Sequence, residues 1–444
     1  MTASNDWHKK RKYLHFDSPL SQHKASLLVK SPKNVSQHSF FPLISFDVNT
    51  HKYNKDKATG ELCRSIKPRH ISYAAHSDSH IYSYYSKLLS EKYEKQLKES
   101  NLTDCVLAFR RFNEKMSNIE FAKIAFDEIK KRASCAAVCF DVTNFFGELN
   151  HKILKKMWSD LLGEATLPSD HYNVYKNITR YAEVDKIGLY NLLSISPSNP
   201  KKDRFRVCSI EEFRTVLRPS GIIKSNNDNK GIPQGSSISA LLSNIYMLDF
   251  DRFAKEQIDS VGGHYFRYCD DILCVVPVSE KENIKTLLSS KIDEYLLELH
   301  PNKTVTRVFT KDETGALNSD KPLQYLGFLF DGQKVLLRNA ALARYSERMK
   351  ASVHLYGNTK LKRDKLRLEK GLPPTDFYKK KLYKKYGYVG RRNFVRYGYR
   401  AANIMESNAI KKQLRPLWKR LNERIEIEQD KIGNILFEIA NNKK

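Results

Sequence analysis

The stretch His264-Tyr-Phe-Arg-Tyr-Cys-Asp-Asp-Ile-Leu-Cys-Val-Val276 sets two adjacent aspartates, Asp270 and Asp271, between two runs of β-forming residues. Folding alone gives no reason for them, because neighbouring carboxylates repel and Asp is depleted from strand interiors. A tight hairpin returning residues 265–268 along 272–276 puts both acids at its tip, where a divalent cation would neutralise them. A plain surface turn containing Asp-Asp reads the same way locally. The choice between the two depends on whether a third carboxylate and a nucleotide-shaped pocket occur elsewhere.

The third carboxylate is Asp141, in Ala136-Ala-Val-Cys-Phe-Asp-Val-Thr-Asn-Phe-Phe-Gly-Glu-Leu-Asn-His151. It ends an apolar strand and precedes a helix, the place where α/β sheets present functional groups, although an Asp capping that helix fits the same pattern. Phosphoryl transfer to a hydroxyl uses two Mg²⁺ ions about 4 Å apart. Magnesium takes a few carboxylates and completes its octahedron with waters and substrate phosphates. Asp141, Asp270 and Asp271 would suffice, with the Val142 carbonyl as an added ligand. Other acidic spots, Asp249, Asp251 and residues 423–430, lie on helical patterns and read as solvated faces.

Between these acids runs Lys230-Gly-Ile-Pro-Gln-Gly-Ser-Ser-Ile-Ser-Ala-Leu-Leu-Ser-Asn-Ile-Tyr246. Gly231, Pro233 and Gly235 force a turn into a helix N-terminus, and small residues leave room for a base pair to approach the backbone. Gln234 offers that base pair an amide donor and acceptor.

Bulk composition narrows the class. The chain has 444 residues, 41% of them hydrophobic, a formal charge of +27, 24 Tyr and 22 Phe. Such a charge implies a polyanionic partner, and cations interleaved with aromatics favour nucleic acid over a membrane surface. No apolar run approaches the roughly 18 residues of a membrane span, and the start carries no secretory signal pattern. The cysteines are scattered without a Cys-x-x-Cys pair and read as core residues of a reduced, cytoplasmic protein.

Periodicity predicts helices over residues 81–93, 119–129, 150–162 (with Asn150 as N-cap), 237–250 and 279–299. Strands are expected over 105–112, 136–140 and 323–330, the last turning at Asp331-Gly332 into 334–338. Residues 1–60 read as an irregular arm with a weak strand signal at 40–46. Residues 163–230 read as long loops around some helix, and everything after 339 as basic helix.

In order along the chain, Asp141, Gly231-Ile-Pro-Gln-Gly-Ser-Ser and Tyr268-Cys-Asp-Asp resemble motifs A, B and C of reverse transcriptases. Leu299-His-Pro-Asn-Lys-Thr304 resembles motif D, and Leu323-Gln-Tyr-Leu-Gly-Phe328 the primer grip of motif E. The resemblance implies an α+β right-hand polymerase with an antiparallel palm sheet and a helical basic thumb. Its divisions would be an N-terminal arm (1–70), fingers (71–135), a palm (136–338, with an insertion around 163–230) and a thumb or RNA-binding region (339–444). It implies RNA-directed DNA synthesis with two Mg²⁺ ions, dNTP substrates and an RNA–DNA hybrid product.

The resemblance also implies individual roles. Lys303 would protonate departing pyrophosphate, and Phe146 would close over the sugar and clash with a ribose 2′-hydroxyl, favouring dNTP. Arg110 would meet the triphosphate, being preferred to Arg111 because the latter would face the other side of its strand. Arg64, Lys67 and Arg69 are further candidates. Tyr268 and Gly327 would contact the primer end. Lys379, Lys380, Lys384, Arg391, Arg392 and Arg396 would hold the nucleic-acid backbone. Gly147 departs from bacterial members, which often carry a second Asp there, and the gap from Asp141 to Gly231 is long.

Residues 7–17 and 70–85 resemble the bacterial defence-associated reverse transcriptases of the unknown-group lineage, most closely the single-protein type that partners with a noncoding RNA. That implies cDNA synthesis on the RNA in anti-phage defence. Two alternatives stay open: a template-independent, protein-primed DNA polymerase of the same lineage, and a non-catalytic RNA-binding scaffold.

Overall fold

The computed structural model describes residues 7–55, 62–110, 116–132, 134–201, 204–300 and 303–441, and for 51–55 and 62–65 the backbone alone. The chain divides into two compact units. One comprises Met1–Arg111, Val138–Cys274 and Ser279–Val305, the other Phe112–Ala137, Val275–Val278 and Thr306–Lys444.

The strands of the first unit are β1 Leu43–Lys55, β2 Leu62–Tyr73, the end of β3 Cys135–Asp141, β4 Ala182–Asp185, β5 Lys224–Ser225, β6 His264–Tyr268 and most of β7 Asp271–Val276. Two of them overturn the expected irregular arm. β1 and β2 form a long antiparallel hairpin running from Ile44↔Tyr73 out to Lys55↔Leu62. The sequence of its outer half, mostly polar over 49–55, lacks the apolar alternation that announces a strand. Its inner end is buried at Ile44, Ser45 and Ser72. β4 adds to β1 in parallel through Leu43↔Glu183 and Ile44↔Val184, and β5 pairs antiparallel with β4. The insertion thus completes a sheet begun by the N-terminal segment, in the order β2-β1-β4-β5. Under it Leu14, Phe16, Ile44, Val184, Leu189, Val207 and Leu217 form a small core.

β6, β7 and β3 lie side by side in that order. Ile272 to Val276 are all buried, as are Cys135 to Val138 and Phe140. Continuous apolar runs of this kind belong to strands covered on both faces. The helix His151–Leu162 forms as its sequence predicts: the Asn150 side chain accepts from the Lys152 and Ile153 amides, and Gly163 closes the other end at φ 76°. Leu154, Met157, Trp158 and Leu161 supply its buried stripe. The helix expected over 237–250 is two, Ser239–Tyr246 and Leu248–Ser260. The strand expected over 105–112 is irregular as far as residue 110, with one isolated parallel bridge, Val106↔Arg267.

In the second unit β8 Val305–Lys311 pairs antiparallel with β9 Leu317–Ser319. β10 Leu323–Tyr325, β11 Phe328–Phe330 and β12 Val335–Leu337 form an antiparallel sheet. The single strand expected over 323–330 is broken by Leu326 (φ 46°) and Gly327 (φ 95°). Two positive φ values in a two-residue loop define a type I′ hairpin turn. After residue 339 all regular structure among the described residues is helical, as expected, from Asn339–Glu369 to Pro416–Asn441. Glu428 corrects the reading of 423–430 as a solvated face, since it is buried and pairs with His354 Nδ1 at 3.0 Å. Among the described residues no helix is long and apolar enough to cross a membrane, and the described cysteines are free.

Candidate active site

The Asp-Asp pair sits at the tip of a hairpin, with Cys269 and Asp270 forming a two-residue loop between β6 and β7. Cys269 has φ 62°. The first loop position of such a turn normally belongs to glycine, and a side chain there costs on the order of 1–3 kcal/mol. Something must over-determine that conformation.

It is Arg267, two residues before the loop and wholly buried. Its Nη1 donates to the Cys269 carbonyl (3.2 Å) and to Asn244 Oδ1 (3.1 Å). Its Nε and Nη2 donate to the two carboxylate oxygens of Asp251, at 2.6 and 2.5 Å. Tyr265 Oη donates to Asp251 Oδ1 (2.7 Å), and Asn244 Nδ2 to the Ala108 carbonyl (2.9 Å). The Arg267 backbone exchanges bonds with Cys105 and Leu107. Burial works against the guanidinium's charge, but the paired Asp251 carboxylate outweighs it and raises the pKa. Asp251 is therefore no solvated residue. It lies at the centre of the network that fixes the turn.

Asp141 is joined to that turn through the backbone. The Val142 amide donates to the Asp270 carbonyl at 3.3 Å. On the other side the Thr143 amide donates to Glu298 O and the His300 amide to Asp141 O, both at 2.8 Å, around the antiparallel bridge Val142↔Leu299. The N–H and C=O of one extended residue point the same way, so the Val142 carbonyl faces the hairpin. Lys303 forms an ion pair with Asp141 Oδ2. Asp141, Val142, Asp270 and Lys303 are thus brought together, and Asp271 follows at the start of β7.

The donor set suits a hard cation in kind, being carboxylates and a carbonyl. Among the described residues no three His, Cys, Asp or Glu side chains are gathered closely enough to hold a metal ion. The positive charge at Asp141 is the Lys303 ammonium.

The glycine-rich turn is held from both sides. The Ile232 amide donates to Phe146 O and the Gly231 amide to Leu149 O, each at 2.9 Å, and the Ser72 amide donates to Gln234 O at 2.8 Å. Gly235 (φ 115°) is required by strand β2, because a Cβ there would lie 2.6 Å from Ser72 O. Phe146 is half-buried, edge-on to Phe145, and its carbonyl ties it to the turn. Gly147 lies under the Asn144 side chain: a Cβ there would be 2.3 Å from Asn144 Nδ2. Asn144 is itself left-handed (φ 45°) and donates to Glu148. Lys230 pairs with Glu148 at 2.6 Å and holds its carboxyl below the usual range. A cavity of about 460 Å³ opens there, lined by Thr143, Glu148, Lys230, Asp293, Leu296, Leu297 and Glu298.

Arg110 departs from its expected role. Its guanidinium is buried, pairing with Glu94 (2.8 Å) and donating to the Thr103 and Val106 carbonyls. The face-alternation argument that favoured it fails because residues 105–110 form no strand. Arg111 lies outside the described residues, as does the Arg64 side chain, and Lys67 and Arg69 are exposed on β2. Tyr268 is half-buried beside the turn.

In the second unit Gly327 occupies the I′ turn, where Leu326 O accepts from Asn118 Nδ2 at 2.9 Å and Gly327 O from the Arg338 amide at 3.1 Å. Lys380, Lys384, Arg391, Arg392 and Arg396 are exposed, and Lys379 is half-buried at the start of the helix Lys380–Tyr386.

A family model described as reverse transcriptase (RNA-dependent DNA polymerase) matches residues 80–330. That is more than half of the chain, which belongs to this family, an enzyme family of nucleotidyltransferases. No curated protein matches it in sequence. Among solved structures it is similar to an apo telomerase of Candida tropicalis truncated from its C-terminal domain. That pair is 10% identical over 66% of this chain and 57% of the other, with TM-score 0.40. It is also similar to a telomerase of Candida albicans in complex with a fragment of telomeric RNA (12%, 94% and 68%, TM-score 0.35). A further apo telomerase of Candida tropicalis is 12% identical over 87% of this chain and 59% of its own, with TM-score 0.36. The chain therefore spans between 57% and 68% of those telomerases.

The buried pair makes a direct prediction. Asp251→Asn leaves an uncompensated buried guanidinium and lowers the unfolding free energy by about 3–5 kcal/mol in denaturant titration. Asp251→Leu combined with Arg267→Met recovers most of that stability but not nucleotide incorporation, because the Cys269 carbonyl has lost its donor.

Proposed function

We propose that this chain is an RNA-templated DNA polymerase working within a ribonucleoprotein. The observation behind the reading is the backbone bond from Val142 to Asp270, which ties the residue after Asp141 to the hairpin tip, within the span matched by the reverse transcriptase family. Asp141, Asp270, Asp271 and the Val142 carbonyl would hold two magnesium ions. When bound, these activate the primer hydroxyl and brace the leaving pyrophosphate. The Lys303 ammonium, released from Asp141, stays beside the site to protonate the pyrophosphate. The half-buried Phe146 ring, fixed through its carbonyl to the glycine-rich turn, excludes a 2′-hydroxyl. Gln234 presents its side-chain amide from a backbone anchored on β2. Exposed cations of the second unit, from Lys380 to Arg396, grip phosphates of the RNA or the hybrid.

The partner we infer is a noncoding RNA that serves as template, in a bacterial cytoplasmic system of anti-phage defence. Residues 7–17 and 70–85, which carry the resemblance to that lineage, fold against each other. Asp17 caps the helix His76–Glu99 by accepting from the His76 and Ser77 amides, both at 2.7 Å. His8 stacks on His80, and Tyr13 on His76. The two stretches therefore act as one module, which supports reading their resemblance together.

Asp270→Asn with Asp271→Asn abolishes Mg²⁺-dependent dNTP incorporation in a primer-extension assay, while the melting temperature and RNA affinity stay at wild-type values. Undiminished extension contradicts the assignment. Phe146→Ala raises ribonucleotide over deoxyribonucleotide incorporation by roughly ten- to a hundredfold, the range set by one hydroxyl in a shaped pocket. An unchanged ratio removes the ring from sugar selection.

A further inference from the structure

The insertion carries a second cavity, of about 300 Å³, that the polymerase chemistry does not use. Three aromatic rings wall it. Phe16 meets Phe213 edge-on at 5.2 Å between centroids, and Phe41 meets Phe213 at 6.0 Å with planes at 86°. Phe213 opens a wide helical turn, Phe213–Leu217, in which the Arg218 amide donates five residues back to Phe213 O. Wide turns of this type are rare and concentrate at functional sites. Leu217 anchors the turn in the core beneath, while Arg214 and Arg218 stand exposed at the cavity.

The chemistry of the lining selects the occupant. Among the described residues Arg214 and Arg218 form no ion pair, and neither does exposed Arg206 nearby in sequence. Glu212, close by in sequence, is turned back onto Ser209 in a capping box. Burial pushes the Cys208 thiol up to about 11, so that wall is inert. The volume lies at the lower end for small-ligand sites, enough for one flat group. Aromatic walls with guanidinium groups at the mouth match a base and its neighbouring phosphate.

We propose that this cavity takes one unstacked nucleobase of the bound RNA, with the adjoining phosphate held by Arg214 and Arg218. A duplex keeps its bases stacked and cannot fill it, so the occupant is a loop or a single strand. The assignment rests on the reading of the chain as an RNA-dependent polymerase. It adds a recognition site that anchors the RNA away from the reacting end. It also gives the insertion and the N-terminal segment, which build the cavity jointly, a shared purpose.

Fluorescence anisotropy with labelled single-stranded RNA homopolymers and with an RNA duplex tests this on the full chain. Phe213→Leu keeps the apolar volume and removes the stacking plane. It weakens single-strand binding about tenfold and leaves duplex binding unchanged. Arg214→Gln with Arg218→Gln, both at exposed positions, makes the slope of log affinity against log salt shallower by about 0.7, the value for the one phosphate they share on a single strand. Primer extension on a supplied template stays at the wild-type rate in both variants. Unchanged single-strand affinity and salt slope in both, with wild-type binding intact, overturns the cavity's role while leaving the polymerase reading in place. Equal losses on single strand and duplex replace the base pocket with a general backbone grip. A wild-type chain that binds no single-stranded RNA overturns the RNA reading and this site with it.

Discussion

The buried contact between Arg267 and Asp251 is the constraint on which the candidate active site depends. Two charges wholly removed from water are costly, and such a pair persists only when every donor and acceptor is used. Here Asp251 receives both arms of the guanidinium and the Tyr265 hydroxyl, and the remaining guanidinium nitrogen reaches Asn244 and the Cys269 carbonyl. That last bond holds a non-glycine residue in a left-handed turn. The turn fixes the Asp270 carbonyl, and the carbonyl takes the Val142 amide, which ties the end of β3 to the hairpin. Local strain at the tip is thus offset by a network several residues deep in the core.

The carboxylates and the glycine-rich turn were legible in the sequence because each breaks a local rule. Acids interrupt β-formers, and glycines stand where only positive φ or close approach explains them. The helix at 151–162 was legible for the opposite reason, since cap, stripe and terminal glycine all agree. What the sequence hid depends on distance along the chain. Asp251 lies on an amphipathic helix, and nothing beside it shows that Arg267 will cover it. Arg110 was misplaced because residues 105–110 look like a strand but spend their hydrogen bonds on Arg267, Asn244 and Arg110 itself. The parallel pairing of β4 with β1 joins segments about 140 residues apart, a contact that periodicity does not reveal.

Electrostatics divides the molecule's cations into two kinds. Some are consumed by the fold: Arg267 on Asp251, Arg110 on Glu94, Lys230 on Glu148. Others, such as Lys380, Lys384, Arg391 and Arg392 and, at the aromatic cavity of the insertion, Arg214 and Arg218, stand exposed and form no ion pair among the described residues. The formal charge of +27 leaves cations in excess of carboxylates, which is the condition for salt-dependent nucleic-acid binding. Lys303 stands between the two kinds, paired with Asp141 yet partly exposed.

In the function proposed for it, the chain copies RNA into DNA. Sequencing the DNA that the purified protein makes from dNTPs and Mg²⁺ on a defined RNA template with an annealed primer tests it most directly. RNA-templated synthesis gives product strands complementary to the template and dependent on it. DNA of the same sequence made with the template changed or omitted would contradict it.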